Sequence, residues 1–195
     1  VRAQLKLAIE DELTKEILRE KGKDIQPVYI FVHEQRITKW FSFSYIKKYL
    51  KSNVPWILMN GDVVYSKSLL EQIINSSHKN VLAVERKSCG REEVKVIEGE
   101  SKRIVAIGKE LIQENALGEF IGVAKLASEF THVFADSLDK LILSGGKSDY
   151  FEAAVQSLLP KYEIYYTDVS DLPCIEVDFV EDLQKAQELV ISDRF

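Results

Sequence analysis

Apolar residues recur every fourth position at the start of the chain, at Leu5, Ile9, Leu13 and Ile17. This spacing puts one apolar stripe on a helix over 2–21, which Gly22 stops. The pattern then changes to short unbroken apolar runs at 28–32 (VYIFV) and 56–59 (WILM), which predict buried strands. Residues 41–50 between them predict a helix. After the second run come Asn60-Gly61-Asp62 and then Ser66, placed to cap a helix running to about Asn75. Residues 81–85, 94–97 and 103–107 predict three more strands, with Gly99 at a hairpin turn between the last two. A strand at 120–126, a helix at 128–143 before Gly145-Gly146, and a helix at 149–158 before Pro160 follow. Strands at 163–168 and 174–178 precede a closing helix at 180–190 that carries Leu183, Ala186, Leu189 and Val190 on one face.

Helix and strand alternate in the first half, which argues parallel pairing with crossovers, while the middle is strand-rich with hairpin signals. The reading is an α/β fold with a mixed sheet in a single domain over 1–195, with no repeat or linker. A content of 46% apolar and 29% charged residues fits a soluble globular chain and not a disordered one. The formal charge of −5, with no basic tract, makes nucleic acid and anionic membranes poor partners. No apolar run approaches the roughly 20 residues of a membrane span. Cys89 and Cys174 form no CxxC pair, which suits a reducing compartment, and the expected location is cytoplasmic.

Two places in this pattern carry candidate chemistry. The 56–59 strand ends in Asn60-Gly61-Asp62, and ligands of open α/β sheets bind outside the carboxyl ends of strands. Asp62 is therefore placed to hold a hard cation or a ribose, or the triplet is only a turn. In the strand at 174–178, Ile175 and Val177 face one way and Glu176 and Asp178 the other. Asp178 stands either as the cap of the closing helix or, with Asp62, as one of two strand-end aspartates sharing a metal in one sheet. His33, His78 and His132 lie far apart and read as surface or structural residues. Lys95 either approaches a phosphate or faces solvent. Trp40, Phe41, Phe43 and Tyr45 form an aromatic cluster that reads as core packing.

Residues 56–71 (WILMNGDVVYSKSLLE) resemble the central strand, metal aspartate and following helix of the nucleotidyltransferases that activate sugar phosphates and phospho-alcohols. Later pieces come in that family's order: Ala83-Val-Glu-Arg86, Glu93-Val-Lys95-Val96, Ile107-Gly108-Lys109-Glu110, Asp149-Tyr150-Phe151-Glu152 and the stretch 175–183. The stretch 118–125 (GEFIGVAK) and the Ile107-Gly108-Lys109 triplet most resemble the phosphocholine cytidylyltransferase branch. The resemblance covers about 28–190. It implies a Rossmann-like, glycosyltransferase-A-like fold with a mixed, mostly parallel sheet flanked by helices.

The implied activity is Mg²⁺-dependent transfer of a nucleotide, CMP from CTP, to a phosphorylated small molecule such as phosphocholine, with release of pyrophosphate. A sugar 1-phosphate is the alternative acceptor. Asp62 and Asp178 match the family's Mg²⁺ carboxylates, and Lys109 matches a lysine on the acceptor phosphate. Catalysis thus rests on Lys109 and Asp62, and Glu119, Lys95, Glu152 and Trp40 are candidate substrate contacts. Such chemistry joins two anions, so it needs cations more than acid–base groups. The family's glycine-rich phosphate loop, of the type Ala-Ala-Gly-x-Gly-x-Arg, has no counterpart here, and Thr38-Lys39 replaces its Asn-Asn pair. Residues 1–5 resemble the segment after the family's second strand. The expectation is therefore a domain lacking the first βαβ unit by N-terminal truncation, or a binding domain that has lost its phosphate loop. The unpaired sheet edges this leaves invite association with another chain.

Overall fold

A computed structural model of the protein describes residues 53–144 and 151–191. The expected elements at 2–21, 28–32 and 41–50 lie outside these residues, as do Trp40 and its aromatic neighbours, His33, Gly145-Gly146 and Asp149-Tyr150. The described elements run β1 (Trp56–Met59), β2 (Val63–Tyr65), α1 (Lys67–Asn75), β3 (Val81–Glu85), β4 (Lys95–Glu98), β5 (Ile104–Gly108), β6 (Gly118–Leu126), α2 (Ser128–Leu143), α3 (Phe151–Leu158), β7 (Tyr165–Asp168), β8 (Cys174–Glu176) and α4 (Val180–Ile191). Short 3₁₀ turns at Glu100–Lys102 and Gln113–Asn115 flank β5.

The main sheet has the order β5-β4-β6-β3-β7, with β1 also paired to β6. β1, β3, β4 and β7 run one way, and β5 and β6 the other. The sheet is mixed, as expected, but the parallel strands β1 and β3 do not pair with each other. The long strand β6 inserts between them and pairs antiparallel with both. Its apolar residues, buried on both faces, supply the reason: β6 is the sheet's centre, and Phe120, Ile121, Val123, Ala124 and Leu126 are all buried.

β6 is not straight. Leu82 faces Ala124 but Val84 faces Phe120, so β6 bulges around Gly122. Gly122 has φ +79°, and a Cβ there would run into the Asn60 side chain. Gly118 has a different constraint, since a Cβ would overlap the Glu85 carbonyl and the Arg86 backbone. The glycines of the 118–125 stretch therefore let β1 and β3 close onto β6.

α1 begins as the sequence predicts: the Ser66 hydroxyl accepts from the Leu69 N–H at 3.3 Å. Its Leu69 and Ile73 pack on Val81, Ala83 and Val123 on one face of the sheet. On the larger core, Phe130 and Phe134 of α2 and Ala154 and Val155 of α3 cover Leu82, Val84, Phe120 and Ala124. Each fully buried Phe or Leu there contributes roughly 2–3 kcal/mol. Helices on both faces and strands between them make the α/β architecture that the alternating pattern implied.

Candidate active site

Three acidic residues converge through an element that the apolar pattern does not show. β2 leaves the main sheet and pairs antiparallel with β8, setting Val63 opposite Glu176 and Tyr65 opposite Cys174. The Val177 N–H donates to the Asp62 carbonyl at 2.7 Å, and the Ser66 N–H to the Pro173 carbonyl at 3.0 Å, so the ribbon is tied at both ends. Asp62 is thereby placed beside the face of the chain from which Glu176 and Asp178 project. Carboxylate oxygens of Asp62, Glu176 and Asp178 lie within 4.8 Å of one another.

Asn60-Gly61-Asp62 is therefore a turn that also carries one of the three clustered carboxylates. The two aspartates meet at the small β2–β8 sheet and not within the main sheet. Asp178 does not cap the closing helix either. The Asp182 carboxylate does so, accepting from the Phe179 N–H at 3.2 Å. Glu176 is the site residue that sequence reasoning passed over, although its alternation with Asp178 on one strand face was visible.

The carboxyl of Glu176 is pushed up to about 7. Partial burial is the largest cause, followed by the charges of Asp178, Asp62 and Glu119, which the Lys109 ammonium only partly offsets. Oxygen donors of this kind suit Mg²⁺, and donors on opposite sides of that ion stand about 4 Å apart. A group within 4.8 Å of one another needs little movement to take it.

Around this triad lie the other expected residues. Glu119, on β6, faces Glu85 across the strand pair, and the Lys87 ammonium joins the two carboxylates at 2.7 Å and 2.8 Å. Burial opposes the charge of Lys87, but its bonds to Glu119 and Glu85 outweigh this and hold the lysine firmly protonated. Lys87 had no sequence signal, since it lies beyond the end of β3. The thiol of Cys174 is pushed up to about 12, by burial first and then by Glu85 and Glu119. Such a thiol is inert at neutral pH. Cys174 and Cys89 are both free.

Lys109 follows β5, is 23% exposed, and pairs with Glu92 at 3.7 Å. It lines an open cavity of about 620 Å³ with Arg91, Glu92, Glu110 and Gln113, among others. Lys95 does not face solvent, and its side chain is among those that line the same cavity. It is 1% exposed, and its Nζ donates to three backbone carbonyls. Glu152 is buried in α3, which packs on α2 and β5, and it is not part of the triad. His78 stacks on Tyr165 with ring centres 3.9 Å apart, a packing role, and His132 is half-buried on α2.

Solved structures share this architecture. A CTP:phosphocholine cytidylyltransferase from Streptococcus pneumoniae superimposes with a TM-score of 0.61 at 15% identity, covering 92% of this chain and 74% of its own. The fold is that of the nucleotidyltransferases. An inositol-1-phosphate CTP transferase from T. maritima shares it at 21% identity and TM-score 0.60, covering 94% of this chain and 73% of its own. An apo UDP-glucose pyrophosphorylase shares it at 15% identity and TM-score 0.64, covering 99% and 73%. No protein-family model and no curated protein matches the sequence. The nucleotidyltransferase fold expected from short ordered motifs is thus present in three dimensions, at identities where sequence alone carries little. Among the described residues no helix is long and apolar enough to cross a membrane.

Proposed function

We propose that this single domain is a Mg²⁺-dependent nucleotidyltransferase that joins the nucleotide of an NTP to a phosphorylated small molecule and releases pyrophosphate. The observation that carries the reading is the convergence of Asp62, Glu176 and Asp178 on one point of a nucleotidyltransferase fold. These three carboxylates would hold the ion, which when bound neutralises the nucleotide phosphates and makes the α-phosphorus open to attack. Lys109 bears on the same point: its charge acts on Glu176 while its side chain lines the adjoining cavity. There it holds the acceptor phosphate, whose oxygen attacks in line with the departing pyrophosphate. A phosphate monoester is already ionised near neutral pH, so no side chain need remove a proton. Glu119, fixed by Lys87, borders the acceptor side.

CTP and phosphocholine are the finer reading, supported by the motifs at 107–109 and 118–125 and by the fold of the pneumococcal cytidylyltransferase. A sugar 1-phosphate is the second acceptor class, supported equally by the UDP-glucose pyrophosphorylase fold. Pyrophosphate release with Mg²⁺ across the four NTPs and a set of phosphorylated acceptors tests both. One productive pair is expected, with transfer abolished in Asp62→Ala. Transfer that survives Asp62→Ala would remove the triad from the reaction. Binding of nucleotide and acceptor without turnover would instead identify a non-catalytic binding domain.

A further inference from the structure

Lys95 is the one charged residue among the large, fully buried side chains of the described residues. Its ammonium donates to the Lys109 carbonyl at 2.5 Å, the Glu93 carbonyl at 3.2 Å and the Arg91 carbonyl at 3.4 Å. Three acceptors match the three donors of a lysine. Burying an ammonium still costs several kcal/mol before its bonds are counted, whereas an apolar residue would fill the same strand position without that cost. What the lysine adds is a tie between two stretches of backbone, the loop before β4 and the residues after β5. Both stretches flank the cavity that Arg91 and Lys109 line, and the charge of Lys109 acts on Glu176 of the triad.

We infer that Lys95 is a positioning residue, which fixes the two flanks of this cavity so that Arg91 and Lys109 close together on one phosphate group of the acceptor. The inference rests on the proposed transfer reaction and adds Arg91 as a second phosphate contact. A guanidinium offers a planar fork to phosphate oxygens, and a lysine opposite offers a point charge. Lys109 pairs with Glu92, whose side chain is 92% exposed. Such a pair in water is weak, and a dianionic ligand displaces it. Glu92, Glu110 and Glu114 also line the cavity, so a phosphate is favoured only beside the cations and away from these carboxylates.

Steady-state kinetics on the whole chain tests this, using the NTP–acceptor pair found above. Arg91→Gln is expected to raise the acceptor KM about tenfold, with kcat and the nucleotide KM unchanged within about twofold. An unchanged acceptor KM overturns the inference. Lys95→Met is expected to raise the acceptor KM in the same way, and Arg91→Gln added to it should cost little more, because both act on one contact. Fully additive losses, or equal losses for nucleotide and acceptor, overturn the positioning role. Should Lys95→Met not fold, Lys95→Arg keeps the buried charge with a longer fork. It is expected to raise the acceptor KM alone, and a wild-type acceptor KM in it overturns the role. If no pair gives turnover the transfer reaction fails, and the site is read by NMR titration with inorganic phosphate. Shifts at Arg91 and Lys109 that vanish in Arg91→Gln support the cavity as a phosphate site, and their absence overturns it.

Discussion

The main sheet and the β2–β8 ribbon treat charge in opposite ways. On and beside the sheet, lysines are surrounded by the chain's own oxygens. Lys95 has three carbonyls, Lys125 reaches the Ile74 and Ser76 carbonyls at the end of α1, and Lys87 bridges Glu85 and Glu119. The ribbon instead gathers three carboxylates within 4.8 Å, at the expense of a Glu176 that takes up its proton near pH 7. Opposite charges brought together hold a fold, whereas like charges held together oppose it and mark a place suited to an external cation. By this comparison the lysines of the sheet serve the fold, and the ribbon is the part on which the proposed reaction rests.

The comparison breaks first at the ribbon. Asp62→Ala and Asp178→Ala are each expected to lower the transfer rate by at least about a hundredfold, the scale on which one group stabilising transition-state charge is felt. Asp178→Ala should not lower Tm, because it removes a like charge beside Glu176. A fall in Tm with the rate preserved would make the ribbon structural instead. The next largest effect belongs to the sheet. Lys95→Met should destabilise the fold by about 3 kcal/mol, since three inward-facing carbonyls lose their donor. Urea unfolding reads this directly, and a loss below about 1 kcal/mol would show that the carbonyls find other partners.

Two glycines sharpen the same contrast. Gly122 sits at φ +79° against Asn60, and Gly122→Ala should cost about 2 kcal/mol from backbone strain and crowding. Gly61, one residue before Asp62, has open space where a Cβ would point and no left-handed φ. Gly61→Ala should leave stability within about 0.5 kcal/mol. Comparable losses at both positions would mean that the turn at Asp62 is as tightly packed as the sheet.

The same division decides what could be read from the sequence. The strands of the main sheet are legible because they are buried: 56–59, 81–85 and 120–126 are apolar runs, and their ends agree with β1, β3 and β6 to within about two residues. The helices α1, α2 and α4 are equally legible, α1 from its Ser66 cap and α4 from its apolar stripe. β2 is not, because Val63-Val64-Tyr65 is short, half-buried and pairs with a strand over a hundred residues later. No local pattern encodes that partner. The site followed the same rule. Asp62 and Asp178 could be named from their positions at strand ends, but their meeting needed the ribbon. Lys95 shows the converse failure, since a lysine in a strand sequence says nothing about carbonyls brought from Arg91 and Lys109.

The smallest expected effect tests the electrostatic side of the comparison, at Glu176. Its carboxyl titrates near 4.5 in the unfolded chain and at about 7 in the fold. Between those values the folded state keeps a proton that the unfolded state has lost, so rising pH lowers stability across this window. Below it both states are protonated and Glu176 contributes nothing. Above it the whole cost of the crowded charge is present. Glu176→Gln removes that cost. Without Mg²⁺, the variant should therefore match the wild type in Tm at about pH 4, gain on it as pH rises, and hold a constant advantage above about pH 7. The gain will be modest because the side chain reaches solvent, where its charge is partly screened. Mg²⁺ should reverse the order at the upper end, since the ion stabilises three carboxylates more than two. Thermal scans in chelator and in Mg²⁺ at three pH values separate these outcomes. A difference that stays flat with pH would mean that Glu176 is not crowded by its neighbours, and the contrast between ribbon and sheet would then rest on geometry alone.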